Sequence, residues 1–213
     1  MKITLYYAPM SSATPVLWAL KEMDVQHELI TFDLGQTLHR ESEFLKLNPN
    51  GKVPTLVVDG RPLFEALAIL QWLGDKFGVA RGLWPAEGEE GRFTALSWST
   101  WAYVTYGAVL QRMNVAASPR VPQALHSADH FEYAKAQISQ LLDLLDARLT
   151  QSAHLLGSQF SLADLIVVSV VSYGKWCGAS LDRHSKVGDW VQRCQDRPAC
   201  KAAWMPPPQA SAP

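Results

Sequence analysis

The chain predicts two parts of different class, a small α/β unit followed by an all-helical one. Three observations predict it. Over roughly the first 77 residues, strand and helix patterns alternate in the order β-α-β-α-β-β-α. From 78 to 91 the chain carries four glycines, one proline and three glutamates with little apolar content, the composition of a linker. Beyond it everything reads as helix. The expected division is 1–77 for the α/β domain, 78–91 for the linker, 92–205 for the helical domain and 206–213 for a tail. A length of 213 residues suits two small domains or one large one, at about 100–200 residues per domain.

Lys2 to Tyr7 is rich in β-branched and aromatic side chains and stops before Pro9, which predicts a strand. Met10-Ser11-Ser12-Ala13-Thr14-Pro15 reads as a loop feeding a helix, with Thr14 as N-cap and Pro15 as the first helical residue. Gln26 to Phe32 predicts a second strand, and Glu41 to Leu47 a short helix that must end before Asn48-Pro49. Thr55 to Val58 and Arg61 to Phe64 flank Asp59-Gly60, a tight hairpin signal, and Pro62 places the last strand at a sheet edge. Glu65 to Phe77 is helical. In the second part, Phe93 to Met113 is one long aromatic helix. Ser127 caps a helix with a stripe of Phe131, Ala134, Ile138, Leu141, Leu145 and Leu149. Ser161 caps a nearly all-apolar core helix, with Asp164 placed to complete a capping box. Asp189 to Cys194 and Ala199 to Trp204 are short closing helices. The proline-rich 206–213 has no apolar side chain to dock and is expected to be disordered.

Composition narrows the function. Nineteen Lys and Arg against twenty Asp and Glu leave no basic excess to hold a phosphate backbone, so nucleic-acid binding is not expected. The longest strongly apolar run, Leu165 to Gly174, is about half a membrane span, and no membrane association is expected. Met1-Lys2 leads directly into a strand pattern without an apolar leader, so a cytoplasmic location is expected. Cys177, Cys194 and Cys200 form no C-x-x-C and read as reduced thiols, and His126 and His130 lack a third ligand, so no metal is expected. Eight tryptophans are present, five of them after residue 97.

Asn48-Pro49-Asn50-Gly51-Lys52-Val53-Pro54-Thr55-Leu56, then Leu63-Phe64-Glu65-Ala66-Leu67-Ala68-Ile69, then Gly157-Ser158-Gln159-Phe160-Ser161-Leu162-Ala163-Asp164, with Trp190 and Arg197-Pro198 closing, resemble the glutathione transferase family over nearly the whole chain. The resemblance implies a thioredoxin-like N-terminal domain followed by an all-α domain, in a homodimer. It implies glutathione as co-substrate along the first domain. Pro54 takes the place of the family's cis-proline, with the Val53 backbone pairing with the ligand like an added strand. Glu65 and Ala66 fall at the helix start that holds the γ-glutamyl end. Lys52, His39 and Arg40 fall where cations face the glycine carboxylate. Ala66 stands where the family has Ser, and losing a hydroxyl donor to a carboxylate costs about 1.5–3 kcal/mol.

The chemistry turns on the loop after the first strand. A thiol attacks only as thiolate and has an ordinary pKa of about 8.5, which a hydroxyl donor near a helix N-terminus can lower without adding a formal charge. Counted from the first strand, Ser11 falls on the serine of serine-type members. Counted back from Ala19-Leu20, Ser12 falls on the position where other bacterial members have Cys or Asn. Tyr6 and Tyr7 are rival donors, and both serines also fit a purely capping role. The second substrate, a small hydrophobic electrophile, is expected between the domains. Trp98 and Trp101 share a helix face and form a candidate wall with Arg112 and Met113, although core packing explains them equally. The first function expected is glutathione transfer in detoxification. The alternatives are glutathione-dependent reduction of disulfides or peroxides, and a non-catalytic binding or regulatory protein of the same fold.

Overall fold

The computed structural model describes residues 1–33 and 41–204. His39, Arg40 and the tail at 206–213 lie outside the described residues. The described residues form two compact units: one of Met1–Gly82 together with those that follow Cys194, and one of Leu83–Cys194.

The first unit is a four-stranded mixed sheet with helices. β1 (Ile3–Tyr7) and β2 (Glu28–Thr31) are parallel, joined through α1 (Thr14–Glu22). α2 (Ser42–Leu47) precedes β3 (Thr55–Val58), which runs antiparallel to both β1 and β4 (Arg61–Phe64), giving the order β2-β1-β3-β4. Pro62 therefore lies on an edge strand, where its missing N–H breaks no ladder bond. Asp59 and Gly60 both have positive φ, 47° and 81°, as the two-residue hairpin requires. Leu5 opposite Leu56 forms the fully buried centre of the sheet. α3 (Ala66–Leu73) runs on into a π-helical turn, Gly74–Gly78. α1 is buried along most of its length, because it packs on β1, on α3 and on the closing helix α9 (Pro198–Trp204).

That last contact departs from the division drawn on composition, which put the closing helices with the helical half. Trp18 Nε1 donates to Glu22 Oε2 at 3.0 Å, and the Arg197 guanidinium donates through Nε and an Nη to Glu22 Oε1. The buried Glu22 carboxylate is thus held by α1 and α9 together, and α9 covers an apolar face of α1 that nothing nearby in sequence covers.

The second unit holds α4 (Gly91–Thr100), a π-helical segment Trp101–Tyr106 and α5 (Gly107–Ala117) as one continuous run, then α6 (Ala128–Gln151), α7 (Leu162–Trp176) and α8 (Ser185–Gln195). The π segment has a local reason: a Cβ on Gly107 would sit 3.2 Å from the Ala102 carbonyl oxygen, so glycine makes that turn comfortable. In α6 the buried stripe is Ala134, Ile138, Leu142, Leu145 and Leu149, with Leu142 where the sequence pattern suggested Leu141. Both predicted caps are present. Ser127 Oγ accepts from His130 N, and Ser161 with Asp164 forms a full capping box. Fully buried Asp164 accepts from Leu155 N, Ser161 N, Ser161 Oγ and Trp190 Nε1 at 2.6–2.9 Å, so its charge enters the core satisfied. Trp84, in the stretch read as linker, is buried in this unit with the Arg92 guanidinium 5.4 Å from its ring centroid, and Leu83 O accepts from Leu162 N. Among the described residues no helix is long and apolar enough to cross a membrane.

Candidate functional site

Three loops meet at one end of the sheet in the first unit. The register pairs Tyr6 with Thr55 and Thr55 with Phe64. Continued one step, it sets the residues after β1 beside Val53-Pro54, and Val53-Pro54 beside Glu65-Ala66. The Val53–Pro54 peptide is cis. Met10 and Glu65, on two of these loops, have φ of 54° and 70°. Neither residue type tolerates the left-handed region as Asp does, and such strain gathers at functional sites.

The loop before the cis peptide is built on Asn48, which is buried and fully hydrogen-bonded. Its Nδ2 donates to Lys52 O at 2.7 Å and to Thr55 Oγ1 at 3.0 Å, and its Oδ1 accepts from Asn50 N at 3.0 Å. Reading the sequence found the motif but not this organising residue; the local signal is an Asn heading a Pro-Asn-Gly turn. The Lys52 side chain is exposed, while its carbonyl belongs to the Asn48 clamp.

The two serines differ. Ser11 Oγ donates to Ala8 O at 2.7 Å and accepts from Ala13 N at 3.1 Å, so both sides of this hydroxyl serve the loop. Ser12 is exposed, and its Oγ donates to Val53 O at 3.0 Å, across to the cis-proline loop. α1 starts at Thr14 with Ala13 as N-cap, one residue earlier than the pattern suggested, so Ser12 immediately precedes the cap. Tyr7 is enclosed. Burial pushes its pKa up, partly offset by the Thr14 hydroxyl, which lies near without forming a bond of normal geometry. Tyr6 packs against Phe32 and Phe44 at centroid distances of 5.7 and 5.3 Å. Ala66 is buried as the first residue of α3, an eight-residue helix whose opening N–H groups lie at this end of the sheet.

In the helical unit Trp98 and Trp101 form an edge-to-face pair with centroids 5.1 Å apart, both half-buried. Trp101 also meets Tyr106, 5.6 Å away, a pairing five residues apart that the π turn permits. Arg112 and Met113 do not join this wall. Arg112 is exposed and donates to Gln137 Oε1 at 3.0 Å, and it lies roughly 16 Å along the helical run from Trp101 at 1.5 Å per residue. Met113 is completely enclosed and offers a ligand no surface. Among the described residues no group of three or more His, Cys, Asp or Glu can hold a metal ion.

Among known families, the glutathione S-transferase N-terminal domain matches residues 1–75 and the glutathione S-transferase C-terminal domain matches residues 109–198. The chain is 30% identical over 213 residues to the disulfide-bond oxidoreductase YfcG of Escherichia coli (strain K12), covering 95% of this chain and 94% of that protein. The chain belongs to the glutathione S-transferase family. Solved members of the family superpose over nearly its full length. A glutathione transferase from Methylococcus capsulatus matches at a TM-score of 0.81 and 28% identity, covering 95% of this chain and 97% of that one. The theta class glutathione S-transferase of Xanthomonas axonopodis pv. citri, solved with glutathione bound, matches at 0.80 and 27%, covering 96% and 98%.

Proposed function

We propose that this chain binds glutathione along the first unit and joins it, through its sulfur, to a small hydrophobic electrophile. The observation that carries the reading is the Ser12 Oγ–Val53 O bond at the sheet end. The Ser12 hydroxyl donates to Val53 O at 3.0 Å. A ligand whose backbone N–H takes over that carbonyl, as an added strand does, releases the Ser12 hydroxyl to donate to the adjacent thiolate. The start of α1 adds positive potential at the same place. The thiolate then forms the S–C bond while the leaving group departs with the bonding pair: R–X and GS⁻ give GS–R and X⁻. Ser11, whose hydroxyl is turned back on Ala8, shapes this loop. The α3 N–H groups hold the γ-glutamyl carboxylate, with Glu65 for its amine. Lys52 supplies a cation for the glycine carboxylate. Trp98 and Trp101 are the surface offered to a flat electrophile. Ala66 contributes no hydroxyl, so glutathione binds more weakly than with Ser at that position.

A second reading has one observation in its favour, the 30% identity to a disulfide-bond oxidoreductase. No cysteine occurs between Tyr7 and Thr14, so two glutathione thiols would carry that redox step, reducing a disulfide to two thiols while forming oxidised glutathione. The deciding experiment compares wild type, Ser11→Ala and Ser12→Ala on 1-chloro-2,4-dinitrobenzene, on hydroxyethyl disulfide and on cumene hydroperoxide. Loss of conjugation in Ser12→Ala supports transfer. Activity confined to the disulfide or peroxide supports reduction, and none with any substrate supports a binding protein. The protein is further read as a cytoplasmic homodimer. Phe93 and Val104, exposed on one helical run, are apolar surface suited to a partner copy, and sedimentation should give twice 23.6 kDa.

A further inference from the structure

A cavity of about 230 Å³ opens between one face of α6 and the loop that leads into α8. Its walls are polar where they face each other: Lys135 and Ser139 come from α6, and Ser180 and Arg183 from the loop. Its apolar surface is Ala136, with the buried Ile138 behind it. We propose that this cavity binds a small branched or short-chain carboxylate. The carboxylate would lie between Lys135, Arg183 and the two hydroxyls, with its apolar body over Ala136.

Charge selects the ligand. Glu132 lies at the rim and pairs with Lys135 at 3.7 Å, while Arg183 has no ion-pair partner among the described residues. The lining therefore carries one uncompensated positive charge, which suits a monoanion. A phosphate dianion would be half-neutralised and would face the Glu132 carboxylate. Size agrees: the volume is below that of a drug-sized pocket and takes a molecule of only several heavy atoms.

The walls are also held in place before any ligand arrives. His184 lines the cavity and is buried; its Nε2 bonds Asp143 Oδ1 at 2.9 Å, and its Nδ1 has no partner among the described residues. Asp146 Oδ1 accepts from Val187 N at 3.1 Å, and Ser180 Oγ accepts from Asp182 N at 3.1 Å. Two α6 carboxylates beyond Ser139 thus tie the end of the loop and the first turn of α8 to the helix that carries Lys135. The backbone here needs little ordering, while the exposed Arg183 side chain must still be fixed on binding, in keeping with a millimolar constant.

The test is two-dimensional amide NMR of the full chain titrated with isobutyrate, with sodium chloride at matched ionic strength and inorganic phosphate as separate arms. Saturable shifts at the Ser139, Ser180 and Arg183 amides, with a millimolar dissociation constant, are expected. Arg183→Ala should weaken binding about tenfold, the loss of one charge-assisted contact. Ala136→Leu should fill the apolar side and remove the shifts, and both variants should keep the wild-type response to glutathione. Absence of saturable shifts at these amides, or equal shifts with chloride, overturns the site. Phosphate binding as tightly as isobutyrate, or unweakened binding in Arg183→Ala, overturns the carboxylate assignment.

Discussion

Two serine-bearing helix starts, one in each unit, use the same groups to opposite ends. At Ser161 every donor and acceptor is enclosed. The hydroxyl and Asp164 satisfy each other, Leu155 and Trp190 donate to the same carboxylate, and His154 Nδ1 lies 3.4 Å from it, all around a carboxylate with no exposed surface. At Ser12 the hydroxyl is exposed and bonded to a carbonyl on a neighbouring loop, and Met10, two residues before it, is held in a strained conformation. A closed network stabilises because nothing else can compete for its partners. An open one leaves a donor that a ligand can redirect. The difference separates a folding device from a candidate catalytic one, although both read as capping hydroxyls in the sequence.

The largest expected effect breaks the closed site. Asp164→Ala strands the Leu155, Ser161 and Trp190 donors in the core and should cost about 3–5 kcal/mol in urea unfolding. A loss below about 1 kcal/mol would show that the shell relaxes. Next comes the open site. Ser12→Ala should lower conjugation about a hundredfold or more while changing stability by less than about 1 kcal/mol. Ser11→Ala should show the reverse balance, about 1 kcal/mol in stability and a smaller rate effect, because its bonds go to Ala8 and Ala13. Equal rate losses in both variants would erase the distinction between them. Ala66→Ser should tighten glutathione about tenfold by calorimetry, through the added hydroxyl on a carboxylate. No change would move the γ-glutamyl end away from α3.

The smallest effect concerns the protein's own thiols. Burial, with the Glu22 carboxylate nearby, raises Cys200 from 9.0 to about 11, and burial also raises Cys177. These thiols should resist alkylation at pH 8 in the folded chain and react after unfolding. Because the folded pKa of Cys200 lies above the unfolded one, its contribution to stability is complete below pH 9 and is lost as the pH climbs through about 11. Alkylation of Cys200 in the folded chain at pH 8, as fast as after unfolding, would refute that burial.

Local chemistry was the legible part of the sequence. The Asp59-Gly60 turn, the edge position of Pro62 and the caps at Ser127 and Ser161 depend on neighbours a few residues away, and each stands as read. The motif around Pro54 was legible through its family resemblance, and the peptide is cis. What escaped depends on distant partners. Leu141 and Leu142 are adjacent and both apolar, so only the packing of α6 decides which is buried. Met113 has a helical spacing compatible with a wall or with a core, and its neighbours enclose it. The orientation of Ser12 depends on Val53, 41 residues on. Asn48 looked like punctuation because its partners, Lys52 and Thr55, take position only when the loop closes.

The Glu22 clasp bears on how the molecule is made. Arg197 lies 175 residues after its partner, so a ribosome finishes almost the whole chain before α9 can cover α1. Until then the nascent first unit carries an uncovered apolar flank and a carboxylate lacking its guanidinium. A fragment ending at Gly82 should therefore remain sticky and recruit chaperones, and co-expression of the missing C-terminal segment should restore its solubility.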